Sequence, residues 1–247
     1  MPRFYTEDLP ACGEHFLLTG ETARHVSLSL RMRAGDSVCV GDGRGRVTRC
    51  RLEEFSKETV RCCVTEELLP EGELPVRVRL YQGCPKGDKL DLIVMKAVEL
   101  GVAAVHPFVS ARCVSRPRPE KQDRLTERLS RIARQAAGQC GRDLLPAVYP
   151  PCDFRTALGD AVHSCDRILF CYEEERGRSL RAALDAMTLP SVGSIGVFVG
   201  SEGGFSPEEA DAAVAAGALS VGLGGRILRC ETAPLFVLSC IGYRFSL

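Results

Sequence analysis

The stretch "VGLGGRILRCETAPL" (Val221–Leu235), read together with "FVGSEGGFSPEE" (Phe198–Glu209), decides the fold. Each runs from an apolar strand end through glycines toward a helix start, and their separation fits one helix plus one strand. Glycine loops at the ends of successive parallel strands fall on one edge of the sheet, where α/β proteins bind ligands. In the earlier stretch Ser206 suits an N-cap, Pro207 the first helical position, and Glu209 closes an S-x-x-E capping box.

The charges in these loops narrow the ligand. Glu202, Glu208 and Glu209 crowd the helix start and complement its dipole, so an incoming phosphate is disfavoured there. The glycines stand at 200, 203 and 204 and miss the G-x-G-x-x-G spacing of a dinucleotide fold. Glycines without cations suit a ligand held through backbone hydrogen bonds at close approach. S-adenosylmethionine has those properties: an adenine edge, a ribose, no phosphate, and a sulfonium cation that a carboxylate tolerates. Taken alone, the 198–209 stretch reads equally well as a plain turn from strand to helix. The 221–235 stretch adds Arg226, Arg229, Glu231 and Thr232 just before a helix; its competing reading is an ordinary loop with surface arginines.

Outward from the two loops, short apolar runs alternate with helical patterns. Strands are expected at "VRVRLYQG", "AAVHPFV", "RILFCYE", "SIGVFVG" and "ALSVGLG", which implies a parallel sheet covered on both faces. Around 87–100, Leu90, Ile93, Val94, Ala97 and Val98 recur at helical spacing, and over 120–137 Leu125, Leu129, Ile132 and Ala136 share a stripe. The last segment, "APLFVLSCIGYRFSL", is apolar nearly all round and must be covered on several faces, inside the subunit or at an interface. Residues 1 to about 68 differ: glycine-punctuated runs such as "DSVCVGDGRG" and "TVRCCVTEEL" predict short antiparallel strands in a small β-barrel. "LLPEGELP" (68–75), with two prolines and a glycine and no periodicity, reads as a linker. The expected domains are therefore 1–70 and 76–247.

The 247 residues balance 32 Lys plus Arg against 32 Asp plus Glu, so a nucleic-acid or membrane partner must be argued from local patches. Thirteen cysteines without a C-x-x-C spacing read as small hydrophobes in a reducing compartment, and no metal-ligand set is expected from the four histidines. "MPRFYTEDLP" lacks the apolar core of a signal peptide and no run is long enough to span a membrane, so a cytoplasmic protein is expected.

The paired motifs "FVGSEGGFSPEE" and "LGGRILRCETAPL" resemble those of SPOUT-type methyltransferases, specifically the RsmE family, which methylates N3 of a uridine in 16S ribosomal RNA. The likeness extends to "MPRFY", "RMRAGDSVCVGDGRG", "KGDKLDLIVMKAVELGV" (86–102) and "RQAAGQCGR" (134–142). Gly138 stands where the family usually has a glutamate, Gly225 replaces a usual proline and Cys230 a usual threonine. The resemblance implies a PUA-like β-barrel, residues 1–70, followed by a SPOUT-type parallel sheet with a C-terminal trefoil knot in which roughly 223–233 is threaded through an earlier loop. It also implies a homodimer through the C-terminal domain. It implies a bound S-adenosyl-L-methionine touching Gly200, Glu202, Gly203, Leu223, Gly224, Ile227, Leu228, Thr232 and Ala233.

Two basic patches fit an RNA partner. Residues 24–51 hold seven arginines against Asp36 and Asp42 (7 − 2 = +5), and 112–142 hold nine basic residues against three acids (9 − 3 = +6). Either patch alone reads as a solvated, salt-bridged face. Arg31, Arg134 and Arg142 are the expected RNA contacts. The imide nitrogen of uracil must shed or share its proton before it attacks, so Arg229 is the candidate to stabilise the uracil oxygens, while Glu202 could orient the sulfonium or accept the proton. Two other classes compete: a non-catalytic RNA-binding module, which leaves the paired glycine loops idle, and a nicotinamide-dependent oxidoreductase, which lacks its phosphate loop. A methyltransferase acting on another RNA position is a third alternative.

Overall fold

The computed structural model of the chain describes residues 2–189 and 191–246; Met1, Pro190 and Leu247, the first and last of which belong to the terminal motifs above, lie outside the described residues. The chain forms two compact units, one of residues 2–73 with 137–145, the other of 74–136 with 146–246.

In the first unit β1 (Arg3–Tyr5) and β2 (His15–Thr19) lead into α1 (Gly20–Arg24), which continues as a π-helical turn over His25–Ser29; β3 (Ser37–Gly41), β4 (Val47–Phe55) and β5 (Thr59–Leu68) follow. The sheet order is β1-β3-β4-β5-β2. The expected antiparallel pairing holds for β3–β4, β4–β5 and β5–β2, whereas β1 runs parallel to β3. Alternation along β4 and β5 puts Cys50, Leu52, Val60, Cys62 and Val64 into one apolar cluster with Val38 and Val40. These cysteines act as small core side chains, and burial pushes the Cys62 thiol up to about 12.

The segment 137–145 joins this unit although the expected boundary at 76 would assign it to the second domain. The reason is a buried polar network. Arg142 donates from Nε to Glu73 Oε1 (2.8 Å) and from Nη2 to Glu73 Oε2 (2.6 Å), while the N–H groups of Asp143 and Leu144 donate to the same carboxylate. Asp143 in turn pairs with Arg3 and accepts the Gly72 N–H at 2.6 Å. A side chain at Gly138 would place its Cβ 2.8 Å from the Arg3 carbonyl oxygen, so a glutamate there would require the Arg3 backbone to shift.

The second unit is a doubly covered parallel sheet. It runs β6 (Arg77–Gly83), α2 (Lys89–Glu99), β7 (Val102–Val109), α3 (Pro119–Cys140, of which 137–140 belong to the first unit), β8 (Ala147–Val148), β9 (Cys152–Asp153), α4 (Phe154–Ser164), β10 (Arg167–Cys171), α5 (Leu180–Asp185), β11 (Ser194–Val199), α6 (Pro207–Ala215), β12 (Leu219–Val221) and α7 (Thr232–Ser246). Strand order is β12-β10-β11-β6-β7-β8, with β9 also on β7, and every pair is parallel. All five expected strands are present. The stripe of α2 is buried as its spacing predicts, and so are Leu129 and Ala136 of α3, while Leu125 and Ile132 are half-buried.

One side of this sheet packs Phe108, Phe154, Phe170, Phe198 and Phe205 together, with Phe170 and Phe205 centroids 4.2 Å apart. From this cluster a ladder of rings runs outward: Phe198 stacks on Tyr81 (4.5 Å), Tyr81 on His106 (4.6 Å), and His106 on half-exposed Tyr149 (4.1 Å). Tyr81 donates its hydroxyl hydrogen to Asp160 Oδ2 at 2.6 Å. Burial drives His106 down to about 4 despite Asp160, leaving a neutral imidazole in the stack. No helix among the described residues is long and apolar enough to cross a membrane.

Candidate active site

The two glycine loops leave the carboxyl ends of β11 and β12, which flank β10 rather than touching each other, and they meet over a cleft of about 290 Å³. β11 is buried from Ile195 to Val199 and delivers Gly200 to the rim. The fully buried Gln82 of β6 donates to the Gly200 carbonyl at 3.2 Å, and a Cβ at Gly83 would lie 2.5 Å from the Ser201 nitrogen, so this turn rests directly on the β6 backbone. Gly204 closes the turn with φ +64, and any Cβ there would overlap the Glu173 carboxylate. α6 then begins with the capping box expected from sequence: Ser206 Oγ accepts the Glu209 N–H and Glu209 accepts the Ser206 N–H.

Across the cleft, Gly222 is stitched to the β10–α5 loop by its N–H to the Arg178 carbonyl (2.9 Å) and by the Leu180 N–H to its own carbonyl (3.1 Å). Gly224 adopts φ +110, open to glycine and strained for any other residue. The 223–231 loop ends where the Arg229 carbonyl accepts the N–H groups of Thr232 and Ala233, which starts α7.

Of the residues expected at the cofactor, Gly200, Glu202, Leu223, Gly224, Ile227, Leu228 and Ala233 line the cleft, as does Arg229; Gly203 and Thr232 do not. Gly203 instead packs toward the Arg112 backbone, and Thr232 is exposed and shapes the turn through its N–H. Sequence reasoning missed a wall contributed by the β10–α5 loop, Tyr172, Glu173 and Arg176, and it missed Lys89. The loops are not without a cation: Lys89 Nζ of α2 sits 2.8 Å from Glu202 Oε1 and 3.4 Å from Glu231 Oε2. A helical lysine at 87–100 reads from sequence as part of a charged outer face, and only the fold brings it across 113 residues.

The electrostatics follow. Burial works against ionisation of Glu202, but the hydrogen bonds from Lys89 and the Lys86 N–H outweigh it and hold the carboxyl below its ordinary range. Glu231 is also held down, first by the Cys230 thiol and then by Lys89, while Lys89 itself is raised by Glu202. Burial pushes Cys230 up to about 12, so its thiol stays protonated and donates to Glu231 at 3.2 Å. One ammonium thus stands between two carboxylates, while the whole lining sets Lys89, Arg176, Arg226 and Arg229 against Glu173, Glu202 and Glu231, a balance of 4 − 3 = +1. Ser201, which lines the cleft and is only 6% exposed, has a hydroxyl with no hydrogen-bond partner among the described residues. A buried unpaired hydroxyl, a local pair of carboxylates and close-approach glycines fit a ligand with a polar edge and one cationic centre.

The expected RNA contacts separate. Arg31 is exposed in the first unit and holds φ +53. Arg134 is exposed on α3. Arg142 corrects the expectation: it is 3% exposed with its guanidinium clamped on Glu73, a structural strut rather than a surface cation.

Comparison with known proteins places this architecture. A family of RNA methyltransferase domains matches residues 72–242, and one of RNA methyltransferase PUA domains matches 18–62. The ribosomal RNA small subunit methyltransferase E of Bacillus subtilis is 36% identical over 234 residues, 94% of this chain and 91% of that protein. The chain belongs to the ribosomal RNA small subunit methyltransferase E family. A solved member from Neisseria gonorrhoeae, bound to S-adenosyl methionine, superimposes with a TM-score of 0.88 at 30% identity, covering 99% of this chain and 98% of that one. A Legionella pneumophila protein solved in complex with the same cofactor gives a TM-score of 0.87 at 27% identity, covering 98% and 96%. The methyltransferase E family thus accounts for the α/β unit with its parallel sheet and for the PUA-type sheet that precedes it, both read from sequence as one resemblance.

Proposed function

We propose that this chain methylates N3 of a uridine in 16S, small-subunit ribosomal RNA, using S-adenosyl-L-methionine. The observation that carries the reading is the cleft where Gly200 and Gly224 converge, with the paired carboxylates of Glu202 and Glu231 at its rim and the unpaired Ser201 hydroxyl. Gly200, Leu223, Gly224, Ile227, Leu228 and Ala233 would hold the cofactor, chiefly through main-chain groups, and Glu202 would face its positive end. When bound, the cofactor supplies an electrophilic methyl group on a sulfonium.

Everything else falls to the side chains. Glu202 is kept ionised and weakly basic by Lys89, which favours orienting a cation over taking the imide proton. Arg229, on the cleft wall, stabilises the uracil oxygens as negative charge builds on the base. N3 lies on the pairing edge of uracil, so the target must be unpaired when it enters. Arg31 and Arg134 contact the RNA backbone. Half-exposed Phe236 and Tyr243, 74% exposed, on the apolar α7 support a homodimer through the C-terminal domain. We place the protein in the cytoplasm, with 223–233 as the threaded segment of a trefoil knot.

Mass spectrometry of 16S ribosomal RNA nucleosides from a deletion strain, before and after the gene is returned, tests the assignment. 3-Methyluridine lost on deletion and restored on return supports it; an unchanged level refutes it. An Arg229→Ala variant that binds the cofactor with undiminished turnover would remove that residue from the mechanism.

A further inference from the structure

A second concavity, of about 1050 Å³, opens in the second unit between the 84–90 segment, the 115–118 loop and α3. Six cations line it, Arg116, Arg118, Lys121, Arg124, Arg128 and Arg131, against one lining carboxylate, Glu127, a balance of 6 − 1 = +5. Asp91 partly neutralises Arg128 at 2.9 Å. Arg118, Lys121, Arg124 and Arg131 make no ion pair among the described residues. Such a concentration of unpaired charge raises the local density of anions and calls for a polyanionic partner.

The layout says which one. Lys121, Arg124, Arg128 and Arg131 follow i, i+3, i+7, i+10 along one flank of α3, a row roughly 15 Å long at 1.5 Å per residue. That is a line of charge, suited to roughly three successive phosphates of an extended strand. Among the described residues no aromatic side chain lines the groove. It therefore lacks both the aromatic anchors of a protein interface and the platforms on which bases stack, leaving the phosphodiester backbone as the recognised feature.

Its position ties it to the cleft. Pro85, Gly87 and Leu90 line the groove, while from the same stretch the Lys86 N–H (3.1 Å) and Lys89 Nζ (2.8 Å) bind Glu202 at the cleft mouth. One short segment thus has a face on each concavity, with consecutive Cα atoms only ~3.8 Å apart. We propose that the groove is a sequence-independent track for the phosphate backbone of single-stranded RNA flanking the nucleotide delivered to the cleft. The proposal rests on the ribosomal RNA methyltransferase reading of that cleft.

The test compares the full-length wild type with the triple variant Arg118→Ala, Lys121→Ala, Arg124→Ala, using a short single-stranded ribo-oligonucleotide, a polyglutamate peptide and 16S ribosomal RNA. A second triple, Arg155→Ala, Arg167→Ala, Arg181→Ala, removes the same charge from residues that line neither concavity. The groove variant should raise KM for RNA about tenfold and flatten the log–log salt dependence of binding by about 2, three contacts at ~0.7 each. Its kcat and its affinity for S-adenosylmethionine should stay unchanged, and Arg118→Lys with Arg124→Lys should retain binding. An unchanged KM and salt slope would overturn the proposal, as would equal losses in the control triple. So would polyglutamate binding that disappears in the groove variant while RNA binding persists. Binding is read with or without turnover, so a wild type that methylates no RNA counts against the cleft while the salt slope still decides the groove.

Discussion

Gly204 shows how little room the cleft leaves for a side chain. Its φ of +64 costs an L-residue about 1–2 kcal/mol, and a Cβ there would displace Glu173, which walls the cleft. Gly204→Ala should therefore lower stability by about 1–2 kcal/mol in denaturant unfolding. Gly225→Ala, with open space and no positive φ at that glycine, should unfold as the wild type does. Arg142 makes the opposite case, a cation whose importance lies inside the fold. Arg142→Ala leaves the Glu73 carboxylate without its counter-ion and should destabilise the first unit by about 3–5 kcal/mol in denaturant unfolding. The salt slope of RNA binding should not move, whereas a surface contact would show the reverse pattern. Sequence alone ranks Arg142 with the other arginines of its patch, because burial and the Glu73 partner, 69 residues away, are tertiary facts.

At the scale of elements, the legible features are those written in local chemistry. Ser206, Pro207 and Glu209 specify the start of α6 by themselves, and each of the five apolar runs becomes a parallel strand. Ser206→Ala removes the cap and should cost about 1 kcal/mol, a fall of about 2–4 °C in Tm by calorimetry. Less legible are β8 and β9, two residues each, too short to carry a period. The parallel β1–β3 pair is equally hidden, since three residues do not announce their partner. The largest omission is the third wall of the cleft. The Tyr172–Arg178 loop has no glycine motif at its start and joins the site only because β10 lies between β11 and β12. Lys89 was hidden by the same cause: its helical spacing is visible, its ionic partners are not.

Across the molecule, acid sensitivity should arise in the second unit from His106. Its folded pKa of about 4 lies below the ordinary 6.5, so the unfolded chain takes up a proton first as pH falls. The neutral ring's stabilising contribution is complete above 6.5 and is lost progressively down to about 4, amounting to about 3 kcal/mol. His106→Phe keeps an aromatic ring between Tyr81 and Tyr149 and removes the proton site, so the melting temperature should lose most of its decline across that interval. An undiminished decline would assign the acid sensitivity to other groups. The same ladder has an optical consequence. The chain contains no tryptophan, and of its five tyrosines only Tyr5 belongs to the first unit. Tyr81 and Tyr149 are fixed on either side of an imidazole, so their transitions couple in a chiral array. Near-ultraviolet circular dichroism should therefore report chiefly the packing of the second unit, which holds four of the five tyrosines, an intrinsic signal with no added dye or label.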